Sequence, residues 1–188
     1  MPGQNNNPGG KRPHYDVAIV GAGFAGLYAL HRLRSAGFTV RVFEAGSAVG
    51  GTWFWNCYPG ARCDVESLQY SYSFSEELQQ EWVWSERHAT QTEILAYINH
   101  VAERFDLRRD IQLNTRVEAA HFNTQTRRWT LALDRGEVVT AVFCVMATGS
   151  LSSSRLPELP GIETFAEPFI TPGVGQRKAW IFPGKTSA

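Results

Sequence analysis

The feature that most constrains this chain is Gly21-Ala22-Gly23-Phe24-Ala25-Gly26, a G-x-G-x-x-G pattern between Val20 and Leu27. The pattern alone is weak; its context gives it force. Tyr15-Asp16-Val17-Ala18-Ile19-Val20 is a short apolar run that stops at glycine, which predicts a buried strand. A helix is predicted from about Ala22 to Ser35, with Leu27, Leu30 and Leu33 on one side and Gly37 as its stop signal. Thr39-Val40-Arg41-Val42-Phe43-Glu44 predicts the next strand. Such a β-α-β unit is parallel, with a right-handed crossover. In that setting Gly21 permits the tight turn, Gly23 lets main chain approach a pyrophosphate, and Gly26 lets the helix pack close to the strand. The helix N-terminus offers free N–H groups and a positive dipole end to phosphates. Glu44 ends the second strand, about 20 residues on, where a carboxylate accepts hydrogen bonds from both ribose hydroxyls and repels a 2′-phosphate. The expected ligand is therefore the AMP half of FAD or NAD, not of NADP. The plain alternative is a glycine-rich turn that binds nothing.

Composition removes several other classes. A chain of 188 residues suits one ordinary domain. Eighteen Lys+Arg balance 18 Asp+Glu, which argues against nucleic acid or a membrane surface as partner. The longest apolar run, around Val138 to Ala147, is about half of what a membrane span needs. Residues 1–13 are polar and rich in Gly, Pro and Asn; they read as a disordered tail without the apolar core of a secretory signal. Three cysteines make no disulfide framework, so a cytoplasmic location is expected. Cys57 and Cys63 lie too far apart, with too few further ligands, for a metal site, and their spacing does not fit a redox disulfide.

Beyond the first unit, the Gly/Trp/Tyr/Pro-rich stretch from Gly50 to Asp64 reads as an ordered loop. A helix is predicted from Thr90 to about Phe105: Thr90 and Glu93 form a capping-box pattern, and Ile94, Leu95, Ile98, Val101, Ala102 and Phe105 share a face. Strand-like segments follow near Ile111–Leu113, Val117–Phe122, Trp129–Leu133 and Val138–Met146. The turn Asn123-Thr124-Gln125-Thr126 predicts a hairpin, so part of this region is antiparallel.

The loop after Glu44 narrows the ligand to FAD. Gly50-Gly51-Thr52-Trp53 resembles the G-G-T/S-W element that follows the first nucleotide-binding unit of flavin monooxygenases. The longer run from Gly50 through Tyr58-Pro59-Gly60-Ala61-Arg62-Cys63-Asp64 to Ser67 resembles Baeyer–Villiger monooxygenases of the phenylacetone and cyclohexanone type. Ser73 to Trp82 continues the likeness, as does Ala147-Thr148-Gly149, the strand-end motif where the chain returns to FAD. The resemblance covers roughly residues 14–169. It implies an α/β fold: a three-layer Rossmann-type FAD-binding domain whose parallel sheet carries an inserted antiparallel β-meander.

It also implies a chemistry and a set of site residues. NADPH reduces FAD, reduced flavin binds O2 as a C4a-peroxide, and the peroxide attacks a ketone carbonyl to give an ester or lactone; the cofactor carries the hard chemistry. Gly21, Gly23, Ala25 and Gly26 are expected on the pyrophosphate and Glu44 on the ribose. Thr52, Trp53, Phe54, Trp55 and Tyr70 are expected on the flavin side, Val117 on the adenine through its main chain, and Gly149 at the returning strand. Arg62, Cys63 and Asp64 are expected to touch NADP, with Asp64 the candidate catalytic carboxylate beside the isoalloxazine. Each has a plainer reading. Trp53 and Trp55 can be core aromatics, Tyr70 and Tyr72 loop packing, Asp64 an ion-pair partner of Arg62, and Glu86-Arg87-His88 a solvated turn. His31, His100 and His121 read as ordinary core or surface residues.

Two departures stand out. Cys57 occupies a position where close relatives usually have Arg. The family fingerprint F-x-G-x-x-x-H-x-x-x-W finds its first residue in Phe165, but Glu167 replaces its Gly and the sequence then diverges. One permitted codon choice for Ile170 to Lys185, read one base out of phase, encodes H-T-G-R-W-P-K-E-G-V-D-F-P-G-K, with its H opposite Thr171 and its W opposite Gly175. Residues 170–188 are therefore expected to be a frameshift product, and a genuine divergent tail is the alternative. The second nucleotide site and the peroxyflavin-stabilising Arg of the family are not found in these 188 residues. The alternatives in function are an N- or S-oxygenating flavin monooxygenase fragment and a non-catalytic flavin-binding remnant.

Overall fold

The structure, a computed structural model, describes residues 12–151 together with Glu158 and Pro160. The segment 170–188 lies outside the described residues, as do residues 1–11. Of the expected tail, Arg12 and Pro13 are described, and the Pro13 carbonyl accepts the Thr140 N–H at 3.0 Å. The chain divides into two units, Met1–Gly51 with Ile98–Gly149 and Thr52–Tyr97 with Ser150–Ala188.

The first unit is built on a six-stranded sheet in the order β3-β2-β1-β6-β5-β4. β1 (His14–Val20) pairs in parallel with β2 (Val40–Phe43) and with β6 (Val138–Met146), and β2 pairs in parallel with β3 (Ile111–Gln112). β4 (Val117–Asn123), β5 (Arg128–Leu133) and β6 form an antiparallel meander. The expected parallel sheet with its inserted meander is present, joined through one strand. β6 pairs with β5 over Val138–Ala141 and with β1 over Thr140–Met146, so the meander runs straight into the parallel sheet. Ala18, Phe43, Leu131, Leu133, Val139 and Ala141 form one buried cluster that spans both parts of the sheet.

α1 (Phe24–Ser35) starts two residues later than predicted because Gly23 is its extended N-cap. Leu27 and Leu30 are buried and Leu33 is half-buried. Its C-terminus is a Schellman motif: the Phe38 N–H reaches the Leu33 carbonyl, the Gly37 N–H reaches the Arg34 carbonyl, and Gly37 has φ +89°. The predicted hairpin turn is closed by the Asn123 side-chain oxygen, which accepts the Gln125 and Thr126 N–H groups at 2.9 Å each.

In the second unit the stretch expected to be loop contains a helical turn, α2 (Thr52–Trp55), and α3 (Glu76–Glu81) is capped by Ser75, whose hydroxyl oxygen accepts the Leu78 N–H. The boundary between the units falls within α4 (Gln91–Arg104). Thr90 caps α4 as expected, accepting the Glu93 N–H at 3.3 Å. The reciprocal half of the capping box is replaced: the Glu93 carboxylate accepts the Ser85 N–H and O–H at 2.7 and 2.9 Å.

Candidate dinucleotide site

The expected phosphate cradle lies wholly in the first unit, between the C-terminal end of β1 and the N-terminus of α1. Gly21 has φ +103°, and a Cβ there would sit 2.5 Å from the Ala147 carbonyl oxygen, so backbone conformation and the end of β6 both demand glycine. Gly26 is as constrained: its Cβ would lie 1.9 Å from the Gly21 carbonyl oxygen. The tight packing expected between helix and strand is therefore contact between helix and turn.

Gly23 is different. Its φ of −83° suits any residue, and a Cβ would meet the Gly51 Cα at 3.4 Å and the Gly51 nitrogen at 3.8 Å, ordinary contacts. No side chain caps α1 there, and its first turn, which exposes Ala25, holds no acidic residue. This is a helix end whose dipole no side chain of its own first turn offsets.

Glu44 carries a second task that sequence reasoning missed. Its side chain is only 5% exposed. One carboxylate oxygen accepts the Ala22 N–H at 2.7 Å and the other accepts the Gly46 N–H at 2.7 Å. The acid thus pins the glycine-rich turn to the loop after β2. Each oxygen keeps a further lone-pair site, so two acceptor positions remain. The Glu44 N–H and carbonyl bond to Gln112 and Thr115, and the Gly50 N–H reaches the Ala22 carbonyl at 3.0 Å, drawing Gly50-Gly51 against the turn. Val117, the first residue of β4, is half-buried and packs on the sheet's core cluster. Gly149 has φ +69° and open space around its Cα; it follows Ala147, whose N–H bonds to the Val20 carbonyl beside the turn.

The residues expected on the flavin and nicotinamide fall in the second unit. Trp53 and Phe54 on α2 are buried, and Trp55 is half-buried with its ring edge-on to Phe54. The Trp53 indole N–H donates to the Tyr70 hydroxyl at 3.0 Å, with the rings 5.7 Å apart. Burial pushes the Tyr70 phenol up, and the nearby Cys63 and Asp64 add to this against the Trp53 hydrogen bond. The Gln91 side-chain amide donates to the Trp53 carbonyl, while its own N–H reaches the Ala61 carbonyl at 2.9 Å.

The suggested Arg62–Asp64 ion pair is replaced by another. Arg62 pairs with Glu86 and donates to the His88 carbonyl, leaving Asp64 exposed. Arg87 pairs with Glu66. The stretch Glu86-Arg87-His88, read as a solvated turn, is thus tied along residues 62–67. The thiol of Cys63 is buried and accepts the Val65 N–H at 3.4 Å. All three cysteines are free, and no group of three or more His, Cys, Asp or Glu able to hold a metal occurs among the described residues. No described helix is long and apolar enough to cross a membrane.

A mixed sheet of this order, with a glycine turn at the β1–α1 switch and an acid directly after β2, defines a nucleotide-binding α/β domain. The chain belongs to the pyridine nucleotide-disulphide oxidoreductase family, whose model matches residues 15–176. It is 47% identical over 152 residues to a Baeyer-Villiger monooxygenase of Pseudooceanicola batsensis, a match covering 80% of this chain and 28% of that protein. Among solved structures it is similar to oxidized steroid monooxygenase bound to NADP, at 62% identity and TM-score 0.75, over 80% of this chain and 29% of that one. It is also similar to the OTEMO complex with FAD and NADP, at 45% identity and TM-score 0.75, over 82% and 29%. The chain thus spans less than a third of the length of these proteins.

Proposed function

We propose that this chain is the FAD-holding portion of an NADPH-dependent flavin monooxygenase that inserts oxygen into ketones to give esters or lactones. The observation that carries the reading is Gly23: neither its backbone angles nor its neighbours require glycine, whereas a pyrophosphate seated on the uncapped end of α1 does. Glu44 supports it, since two of its acceptor positions remain for the ribose hydroxyls. FAD held by these residues would supply hydride acceptance from NADPH and activation of O2, one oxygen atom entering the ketone and the other leaving as water.

This chain's residues bind and orient. Gly21, Gly23, Ala25 and Gly26 hold the pyrophosphate, with Gly50-Gly51 closing over it. The Val117 main chain meets the adenine and Gly149 the returning edge. Thr52, Trp53, Phe54, Trp55 and Tyr70 line the flavin and keep water from it. Arg62, Cys63 and Asp64 meet NADP, and the Asp64 carboxylate holds a fixed negative charge beside the reacting ring. The balance of 18 Lys+Arg against 18 Asp+Glu does not favour nucleic acid as a partner, and free thiols accord with the cytoplasm.

Titrating the purified chain with FAD and following flavin absorbance and fluorescence tests the reading. Saturable one-to-one binding is expected, and none would refute it. The 188-residue chain alone is expected to form no ester or lactone from ketone, NADPH and O2, and detectable product would overturn that. In the complete enzyme, product analysis separates ketone oxygenation from N- or S-oxygenation. The out-of-frame reading of residues 170–188 is tested by gene sequence: codons incompatible with the shifted frame remove it.

A further inference from the structure

We infer that Ser67 is a positioning residue that fixes Asp64 and Tyr70, two of the residues assigned above to the flavin side, against the segment 86–89. The inference rests on that assignment.

Every polar atom of Ser67 is used, and the residue is 3% exposed. Its N–H donates to the Arg87 carbonyl at 2.8 Å. Its O–H is shared between the Glu86 and Arg87 carbonyls at 2.8 and 3.1 Å. Its Oγ accepts the Ala89 N–H at 3.0 Å. Its carbonyl accepts the Tyr70 N–H at 3.2 Å and the Ser71 O–H at 2.8 Å.

These bonds close an arch. Arg62 and Thr90 form an antiparallel bridge, and the Cys63 N–H reaches the Ala89 carbonyl at 3.0 Å. The chain rejoins the same segment at Ser67. Between the two anchor points lie Asp64, Val65 and Glu66; the Val65 N–H turns back onto the Cys63 sulfur, and the Glu66 carboxylate pairs with Arg87 of the same segment. Asp64 is thereby exposed from a short stretch held at both ends. From the same serine the chain turns to Tyr70, whose hydroxyl holds Trp53. Without the Ser67 hydroxyl, the Ala89 N–H and the Glu86 carbonyl lose a buried partner, and one foot of the arch is left to one backbone bond and the solvent-exposed Glu66–Arg87 ion pair. The arch then samples several positions, and with it the Asp64 charge.

Two measurements on Ser67→Ala, Ser67→Thr and Asp64→Asn test this. In the chain without FAD, amide exchange at Cys63 and Val65, which do not bond to the Ser67 hydroxyl, should quicken about tenfold in Ser67→Ala and return in Ser67→Thr. Unchanged exchange there overturns the inference. In the FAD-loaded chain, Asp64→Asn should raise the flavin midpoint potential, because removing a nearby negative charge favours electron uptake. Ser67→Ala should move it the same way by less, and Ser67→Thr should sit at the parent value. A parent-like potential in Ser67→Ala beside a shifted Asp64→Asn overturns the inference. An unshifted Asp64→Asn, or no FAD binding at all, instead overturns the placement of Asp64 at the flavin, and amide exchange still decides the role of Ser67. If Ser67→Ala does not fold, Ser67→Cys, of similar shape and weak hydrogen bonding, is read in its place.

Discussion

Replacing Glu44 by Gln should destabilise the chain even with no FAD present. The carboxylate accepts two backbone N–H groups at 2.7 Å each inside a nearly sealed site. Gln is isosteric, so no space opens for water, yet it offers one oxygen and turns an NH2 donor against the other N–H. One hydrogen bond survives without its charge, and one buried donor faces another. Leaving a buried donor unmet costs about 1–3 kcal/mol, and losing the charge assistance on the surviving bond adds to this. We expect a loss of about 2 kcal/mol. With a urea dependence of about 2 kcal/mol per M, the midpoint should fall by about 1 M. Equilibrium urea unfolding of the FAD-free chain, followed by tryptophan fluorescence, is the assay. A residue that serves only the ribose would leave this midpoint untouched and change FAD affinity alone. An unchanged midpoint in the free chain would therefore refute the clamp.

The glycines of the turn should separate by variant. Gly23→Ala should keep the parent's stability to within about 1 kcal/mol while losing FAD affinity, whereas Gly26→Ala, with its Cβ driven onto the Gly21 carbonyl, should cost more than about 3 kcal/mol or not fold; urea midpoints and FAD titration on the same samples check both. Arg127 sits at φ +52° in the β4–β5 turn, so Arg127→Gly should gain up to about 1 kcal/mol, read as a rise in Tm. Burial, with Arg34 and Arg32 nearby, holds His31 below its ordinary value of 6.5. The unfolded chain then takes up that proton first, so stability should fall as pH drops below about 6.5, and His31→Gln should flatten this limb; urea midpoints at about pH 5.5 and 7.5 would show it.

Those parts of the molecule governed by local rules were legible in the sequence. β1, α1 and β2 announce themselves through an apolar run, a glycine turn and a 3.6-residue period, and Gly37 stops α1 where a stop was read. The hairpin at Asn123 follows from a side chain bonding its own next turn. α2 was not legible, because Thr-Trp-Phe-Trp has only modest helical propensity and Trp53 and Phe54 are held by burial. The tie between residues 62–67 and 86–91 was not legible either. It consists of scattered hydrogen bonds, one β-bridge and two ion pairs between segments about 20 to 30 residues apart, with neither periodicity nor a turn motif to mark them.

Glu44 and Ser67 nevertheless follow one physical rule. In each unit one exposed residue assigned to the ligand, Ala25 in the first and Asp64 in the second, lies on backbone that a buried polar side chain fixes. A buried carboxylate or hydroxyl is costly unless its polar atoms are met, so it tolerates few alternative backbone positions. Both sets of bonds join the protein's own groups, so folding itself fixes the turn and the arch. The entropy of ordering those loops is then set against folding and not against binding, and affinity depends on contacts made by groups already in place. This also explains why the positioning residues escape motif reading. Motifs record the atoms that meet the ligand, whereas Ser67 and the second task of Glu44 are defined only by carbonyls and N–H groups that any residue type can supply.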